Sequence, residues 1–447
     1  MKTVMIIGGG ASGVILAAQV LAHAQHLHIR LFERSGRVGS GIAYSTQNPS
    51  HLLNVRAGNM SAFAQQPEHF LHWLQKRSET DGGTKWSEQS YAPRKLYNLY
   101  LQDLIAPYLE DEKPRLVIET CEIVGIKIQD GAPCVKASSG ASFSGSALIV
   151  ATGNEAAIAV SGGRVREYWS SSGYFDIPAT ASVAIFGTGL SMVDSVLSLL
   201  DRGHEGPIHA LSRRGLVPAR HEHVEPFALS ADPLFACASL SSLLSHIRAL
   251  MREAAASGSD WRAVMDSLRP FTGSLWQRLS LTERESFLRH LRPWWDVHRH
   301  RMAPRVADRI DAARASGQLQ IEAGRLLSVR EGENGVAIHY RRRHRRESAE
   351  LTVATIIDCR GGNPRFSTTR NPALAGLMEN GLGRPDPLDL GLDVRDDLRL
   401  IDAHGGSAAP IYALGPLTKG LFWEVTAVPD IRVQAAQLAG FLLSDKI

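Results

Sequence analysis

The 447-residue chain has only four cysteines, Cys121, Cys134, Cys237 and Cys359. No two are spaced as CxxC or CxxxxC, so neither a redox-active dithiol nor a disulfide framework is expected. Long apolar runs are missing too, and no stretch approaches the ~18 residues of a membrane span. The apolar residues Val4 to Ile7 are too few for the core of a signal peptide and are followed by glycines, so the expected compartment is the cytoplasm. There is little surplus of either charge. Lys+Arg total 49 against 45 Asp+Glu, a formal charge of +4, which argues for neither a nucleic-acid nor a membrane partner. The one dense basic run, Arg341 to Arg346, lies between two strand-like stretches and reads as a solvated hairpin tip. His221 and His223 form an HxH pair without a full set of further ligands, so no metal is expected, and GxSxG and HExxH are both absent. At 44% hydrophobic and 21% charged residues, what remains is an ordinary globular chain with its oligomeric state left open.

What is present is glycine in two matching places. Gly8-Gly9-Gly10-Ala11-Ser12-Gly13 follows the strand-like Val4-Met5-Ile6-Ile7, and Gly187-Thr188-Gly189-Leu190-Ser191-Met192 follows Val183-Ala184-Ile185-Phe186. At a strand-to-helix junction such glycines let backbone N–H groups close on a pyrophosphate at a helix N-terminus. After the first loop, Val14 to His23 reads as a helix and Ile29 to Phe32 as the next strand. Glu33, followed by Arg34, closes that strand 25 residues after Gly8, where a carboxylate can accept hydrogen bonds from an adenosine ribose. At the same offset from Gly187 stands Ser212, followed by Arg213 and Arg214. Serine and arginine there suit a 2′-phosphate, which favours NADPH. Met192 replaces the third glycine of the second loop, a position that serves helix–strand packing.

The expected architecture is α/β, with two Rossmann-like domains. An FAD-binding part over 1–170 and 351–447 encloses an NAD(P)H-binding domain over 178–350, which carries a helical insertion at about 240–313. Residues 35–110 read as an irregular excursion. Asp130-Gly131 reads as a hairpin turn, and Ala147 to Val150 as a strand leading into Ala151-Thr152-Gly153. Pro429 to Leu443 reads as the last helix. Pro293 to His300, rich in tryptophan and histidine, is left open between packing and a pocket lining.

Ile7 to Gly13 and Ile185 to Ser191, with Ser40 to Ser45, Leu52 to Ala57, Ala413 to Pro416 and Trp423 to Pro429, resemble the two-dinucleotide-domain flavoproteins, a group that includes flavin-containing and N-hydroxylating monooxygenases, and within it a bacterial family of FAD/NAD(P)-binding proteins. The resemblance implies that Gly8, Gly10, Ser12 and Gly13 hold the FAD pyrophosphate and Glu33 the ribose, with Arg34, Thr152 and Gly153 at the same site. It implies that Asn54, Val55, Arg56 and Met60 lie near the flavin ring. It brings Gly415 and the helix start around Thr426 and Val428 to the ribityl chain, although Pro416 stands where related chains often carry an acid. Gly187, Gly189, Leu190, Ser191, Ser212, Arg213 and Arg214 would bind NADPH. Arg56, Lys419, Trp423 and Glu424 are the candidates for the reaction itself. That reaction is oxygen transfer from O2 to a small nucleophilic, amine-like substrate through a flavin C4a-hydroperoxide. The alternatives are an NAD(P)H oxidase or reductase serving a quinone or protein partner, and a non-enzymatic redox sensor.

Overall fold

A computed structural model describes residues 2–81, 83–110, 114–155, 163–168, 177–362 and 365–444. The chain divides into two compact units. One comprises Met1–Gln47, Val55–Glu155 and Asn363–Ile447, the other Asn48–Asn54 and Ala156–Gly362. Elements are numbered along the whole chain.

In the first unit β1 (Lys2–Ile7), α1 (Ala11–His23) and β2 (Leu27–Phe32) form the first strand–loop–helix–strand. They are followed by α2 (His69–Asp81), α3 (Arg94–Ile105), β3 (Leu116–Glu119), an antiparallel set β4 (Ile123–Gln129), β5 (Ala132–Ala137) and β6 (Ser142–Ser144), and β7 (Ala147–Val150). Late in the chain α12 (Pro372–Glu379), β15 (Arg399–Ile401), β16 (Ser407–Ala413) and α13 (Val428–Leu443) return to it. The main sheet runs β15-β16-β7-β1-β2-β3, parallel except at β15. Val4 to Ile7 and all of β7 are buried, as central parallel strands covered on both faces must be. Helix α1 is buried from Ser12 to Leu21 because α13 and α3 pack on it. Asp130 and Gly131 join β4 to β5 with φ of 51° and 78°, the positive pair that a tight two-residue hairpin needs.

In the second unit β8 (Val165–Glu167), β9 (Val183–Phe186), α4 (Leu190–Leu200) and β10 (Ile208–Ser212) precede a helical stretch. After it come β11 (Leu319–Gly332), β12 (Gly335–Arg342), β13 (Ser348–Val353) and β14 (Thr355–Asp358). The sheet order is β13-β12-β11-β10-β9-β14-β8. The basic run Arg341 to Arg346 spans the exposed turn from β12 to β13. The helical stretch contains α5 (Ala231–Phe235), α6 (Leu240–Ala256), α7 (Trp261–Ser267), α8 (Thr272–Arg278), α9 (Leu281–Ser286), a π-turn over Phe287–Leu291, α10 (Arg292–Arg299) and α11 (Pro304–Ala315). It has its own core of Leu234, Leu243, Ala254, Val264, Met265 and Leu268, against which Trp295 packs while Trp294 stays exposed.

Several boundaries differ from the sequence expectation. The return to the first unit falls at 363 rather than 351, because β14 pairs in parallel with β9 and β13 pairs antiparallel with β12. The expected end of the first segment, residue 170, lies outside the described residues. β8 already pairs with β14 and so belongs to the second unit. Asn48–Asn54 also belongs to the second unit, where Asn48 and Ser50 bond to Asp201 and Arg309. The supposedly irregular stretch 35–110 contains α2 and α3.

Candidate dinucleotide sites

The first loop is built by close approach. Gly8 has φ +112°, and a Cβ there would lie 2.4 Å from the Ala151 carbonyl oxygen, so only glycine lets β1 turn beside β7. A Cβ on Gly13 would lie 2.1 Å from the Gly8 oxygen, which fixes how closely α1 starts against the strand. Gly10 caps α1 and no side chain satisfies the first-turn N–H groups, leaving them for an anion. Gly10 faces Gly41 across a bare gap, and a Cβ on either would lie 3.4 Å from the other's Cα. Glu33 accepts the Gly9 N–H at 3.0 Å through Oε2, and the Ser35 N–H and hydroxyl at 2.9 and 2.7 Å through Oε1. Its carboxylate is therefore held at the end of β2. Arg34 turns outward to Glu122. Thr152 Oγ1 is buried beside Gly8 and has no hydrogen-bond partner among the described residues. Bare glycine faces, an uncapped helix start, an anchored acid and an orphaned buried hydroxyl together fit a dinucleotide with an unphosphorylated ribose.

Against the first turn of α1, Gly415 has φ +72°, and a Cβ there would lie 2.4 Å from Ser12 Oγ. Its N–H donates to Gln434 Oε1 at 2.7 Å, Gln434 Nε2 donates to Thr418 Oγ1 at 2.9 Å, and Thr418 Oγ1 donates to the Gly415 oxygen at 2.9 Å. The Gly415 amide is thus already engaged, and Pro416 has none. This turn offers a ribityl chain a close bare backbone but no donor from either residue. Helix α13 begins at Val428, its Ala427 cap carries no side-chain bond, and Thr426 is exposed before it. Glu424 is buried with φ +73°, a left-handed conformation that costs a non-glycine residue roughly 1–2 kcal/mol. Trp423 and Lys419 are half-buried in the same segment. Arg56 donates through Nε to the Tyr91 hydroxyl at 3.4 Å, and the short turn Ala57–Asn59 leads on to buried Met60. Val55 is half-buried there, whereas Asn54 lies in the second unit, its carbonyl accepting from His221 Nε2 at 3.0 Å.

The second loop repeats the geometry. Gly187 lies against β14, and a Cβ there would sit 2.5 Å from the Cys359 oxygen. Gly189 caps α4 without a side-chain bond, with open space where its Cβ would be. Leu190 and Ser191 open the helix, and Met192 is fully buried at the place where the first loop excludes any side chain. Thr188 donates to the Leu216 carbonyl at 2.5 Å, so Ser212 donates to Thr188 (2.8 Å) and accepts the Gly215 N–H (2.9 Å). The Ser212 proton is spent bracing the loop. That leaves exposed Arg213, and Arg214, which donates to the Arg289 carbonyl in the π-turn at 3.4 Å. Cys359 is buried, and burial pushes its thiol well above the usual range. All four cysteines are free.

Two glycine-loop dinucleotide folds in one chain, the second inserted in the first, define a fold of the two-dinucleotide-domain class. Residues 5–155 match the FAD-NAD(P)-binding family. The chain is 31% identical over 140 residues to the uncharacterized protein Rv3403c of Mycobacterium tuberculosis, a match covering 29% of this chain and only 25% of that relative's length. Its whole length is similar to two solved structures. One is the ornithine N-hydroxylase KtzI of Kutzneria sp. 744 with reduced FAD, NADP+ and L-ornithine (TM-score 0.70, 15% identity, 100% of both chains). The other is L-lysine 6-monooxygenase from Pseudomonas syringae (TM-score 0.66, 15% identity, 100% of both chains). At these identities the likeness is one of fold. Among the described residues no helix is long and apolar enough to cross a membrane.

Proposed function

We propose that the protein is an FAD-dependent, NADPH-consuming monooxygenase acting on a small amine. The observation that carries the reading is the opposite charge at equivalent places of the two loops. The anchored carboxylate of Glu33 follows β2, while Arg213 and Arg214 follow β10. An acid accepts hydrogen bonds from a free ribose and repels a 2′-phosphate, whereas arginines attract it. In this reading the uncapped start of α1 and the bare faces of Gly8, Gly10 and Gly41 hold the FAD pyrophosphate, and Thr152 gains a partner for its hydroxyl. The start of α13 directs its positive end at the flavin, and Arg56, oriented by Tyr91, adds a fixed cation. Bound FAD supplies hydride acceptance from NADPH and, once reduced, the activation of dioxygen. Lys419, Trp423 and the strained Glu424 are the residues proposed to orient the amine and keep water away. The amine class is supported by the likeness in fold to an ornithine N-hydroxylase and an L-lysine 6-monooxygenase.

The test is NADPH oxidation by the FAD-loaded protein across a panel of diamines and basic amino acids, with mass spectrometry of the products. One amine should accelerate oxidation and emerge one oxygen atom heavier. Rapid quinone reduction with no oxygenated product from any amine would favour the reductase instead.

A further inference from the structure

The glycine loop of the second site carries no charge of its own, since Gly187 to Val193 reads Gly-Thr-Gly-Leu-Ser-Met-Val. A dinucleotide brings two phosphate charges to such a loop. Arg213 and Arg214 follow β10, on one side of β9. On the other side β14 pairs with β9 in parallel, Asp358 opposite Phe186, and Cys359 N–H continues the ladder to the Phe186 carbonyl at 2.8 Å. The next peptide runs against Gly187, whose absent Cβ would meet the Cys359 oxygen at 2.5 Å and the Arg360 nitrogen at 3.4 Å. Arg360 is therefore built into the wall of the loop.

Its side chain is fixed. Nε donates to Asp358 Oδ1 at 2.9 Å and Nη2 to Asp358 Oδ2 at 2.6 Å, and the guanidinium lies 5.5 Å from the centre of the Phe186 ring. Asp358 is 2% exposed while Arg360 is 46% exposed, so one edge of the fork is locked inward and the other faces solvent at the carboxyl ends of the strands. That is where dinucleotides lie in open α/β sheets. A guanidinium held flat by a buried carboxylate and an aromatic ring has little rotamer freedom left to lose on meeting a phosphate.

We infer that Arg360 is a coenzyme-binding residue of the second site, contacting the diphosphate bridge of a nicotinamide dinucleotide from the β14 side, with Asp358 as its positioning residue. The inference rests on the proposed coenzyme reading and adds a contact that ignores the 2′-phosphate. Arg360 serves NADP+ and NAD+ alike, while Arg213 and Arg214 tell them apart.

Calorimetric titration of the FAD-loaded protein with NADP+ and with NAD+ tests this. Arg360→Gln should weaken both by about tenfold, leaving their ratio and the FAD content unchanged, although it leaves buried Asp358 without its guanidinium and so lowers the melting temperature. Arg360→Lys, which keeps the charge but not the fork, should weaken both by a few-fold and serves as the deciding variant if the glutamine protein does not fold. Wild-type affinity for both nucleotides in the variant that folds overturns the inference, as does weakening of NADP+ alone. A wild-type protein that binds neither nucleotide overturns the coenzyme reading itself and this contact with it.

Discussion

The backbone N–H of Gly415 donates to Gln434 Oε1 at 2.7 Å, so a side chain from the middle of α13 closes the turn that passes Ser12. Both partners are buried. Gln434→Leu should leave that N–H unsatisfied and cut the link to Thr418, at a cost of about 1–3 kcal/mol. Thermal unfolding followed by flavin fluorescence should show a lower midpoint and earlier flavin release. An unchanged midpoint would mean that the bond does not brace the turn.

The bare gap between Gly10 and Gly41 makes a graded prediction. Gly10→Ala adds a Cβ 3.4 Å from the Gly41 Cα, a tight but bearable contact. Gly10→Val fills the passage assigned to the pyrophosphate. The alanine protein should keep its yellow colour and the valine protein should lose it, while far-ultraviolet circular dichroism stays that of the wild type. Flavin retained by the valine variant would move the cofactor away from this loop.

With the Ser212 proton spent on Thr188, the proposed function assigns coenzyme choice to the two arginines. Changing Arg213 and Arg214 together to alanine should weaken NADPH at least tenfold and leave NADH nearly unaltered. Steady-state KM values for the two nucleotides measure this. Equal loss for both would assign the pair to a different part of the coenzyme.

Glu283 caps two helices at once. It accepts the Leu240 N–H at the start of α6 and completes a capping box with Ser280 at the start of α9. The Leu240 N–H, followed by the Ser280 hydroxyl and N–H, holds its pKa below the ordinary glutamate value. A folded-state pKa that is lowered means stabilisation that is complete above the unfolded value of about 4.3 and is lost as pH falls through the lower folded one. Glu283→Gln should therefore unfold at lower urea than the wild type at pH 7, and the two midpoints should converge as the pH falls through the lowered folded-state value. A gap that persists at low pH would point to packing rather than charge.

The two nucleotide units were readable because glycine spacing and continuous apolar strands are local signals. Val4 to Phe32 and Val183 to Leu211 carry them within about thirty residues. Helices α2 and α3 also had a signal, Phe70 with Leu74 and Tyr97 with Leu101 and Ile105 at helical spacing. It was obscured by the polar residues between them and by the glycines and prolines on either side. The fate of β13 and β14 was not local at all. Leu351 to Ile357 reads as a single strand-like run, and only pairing with β12 and β9 divides it between β13 and β14 and assigns both to the second unit. Gln434 and Arg360 left no mark in the sequence, because each matters through a residue it meets only in the fold. In the same way, the engagement of Ser212 depends on Thr188, 24 residues earlier.

The insertion of one unit within another also sets an order of assembly. β16 lies between β15 and β7, and α13 covers α1, so the first sheet and its glycine loop stay open until residues beyond 407 have been synthesised. Every strand of the second sheet is present by Asp358. On the ribosome, where a domain folds once its own strands have emerged, the inner unit can close first while the first-made strands wait for the last. A chain cut near residue 400 would then keep a folded inner unit and never hold a flavin, and for that interval β7 carries the unpaired edge that β16 covers in the finished sheet.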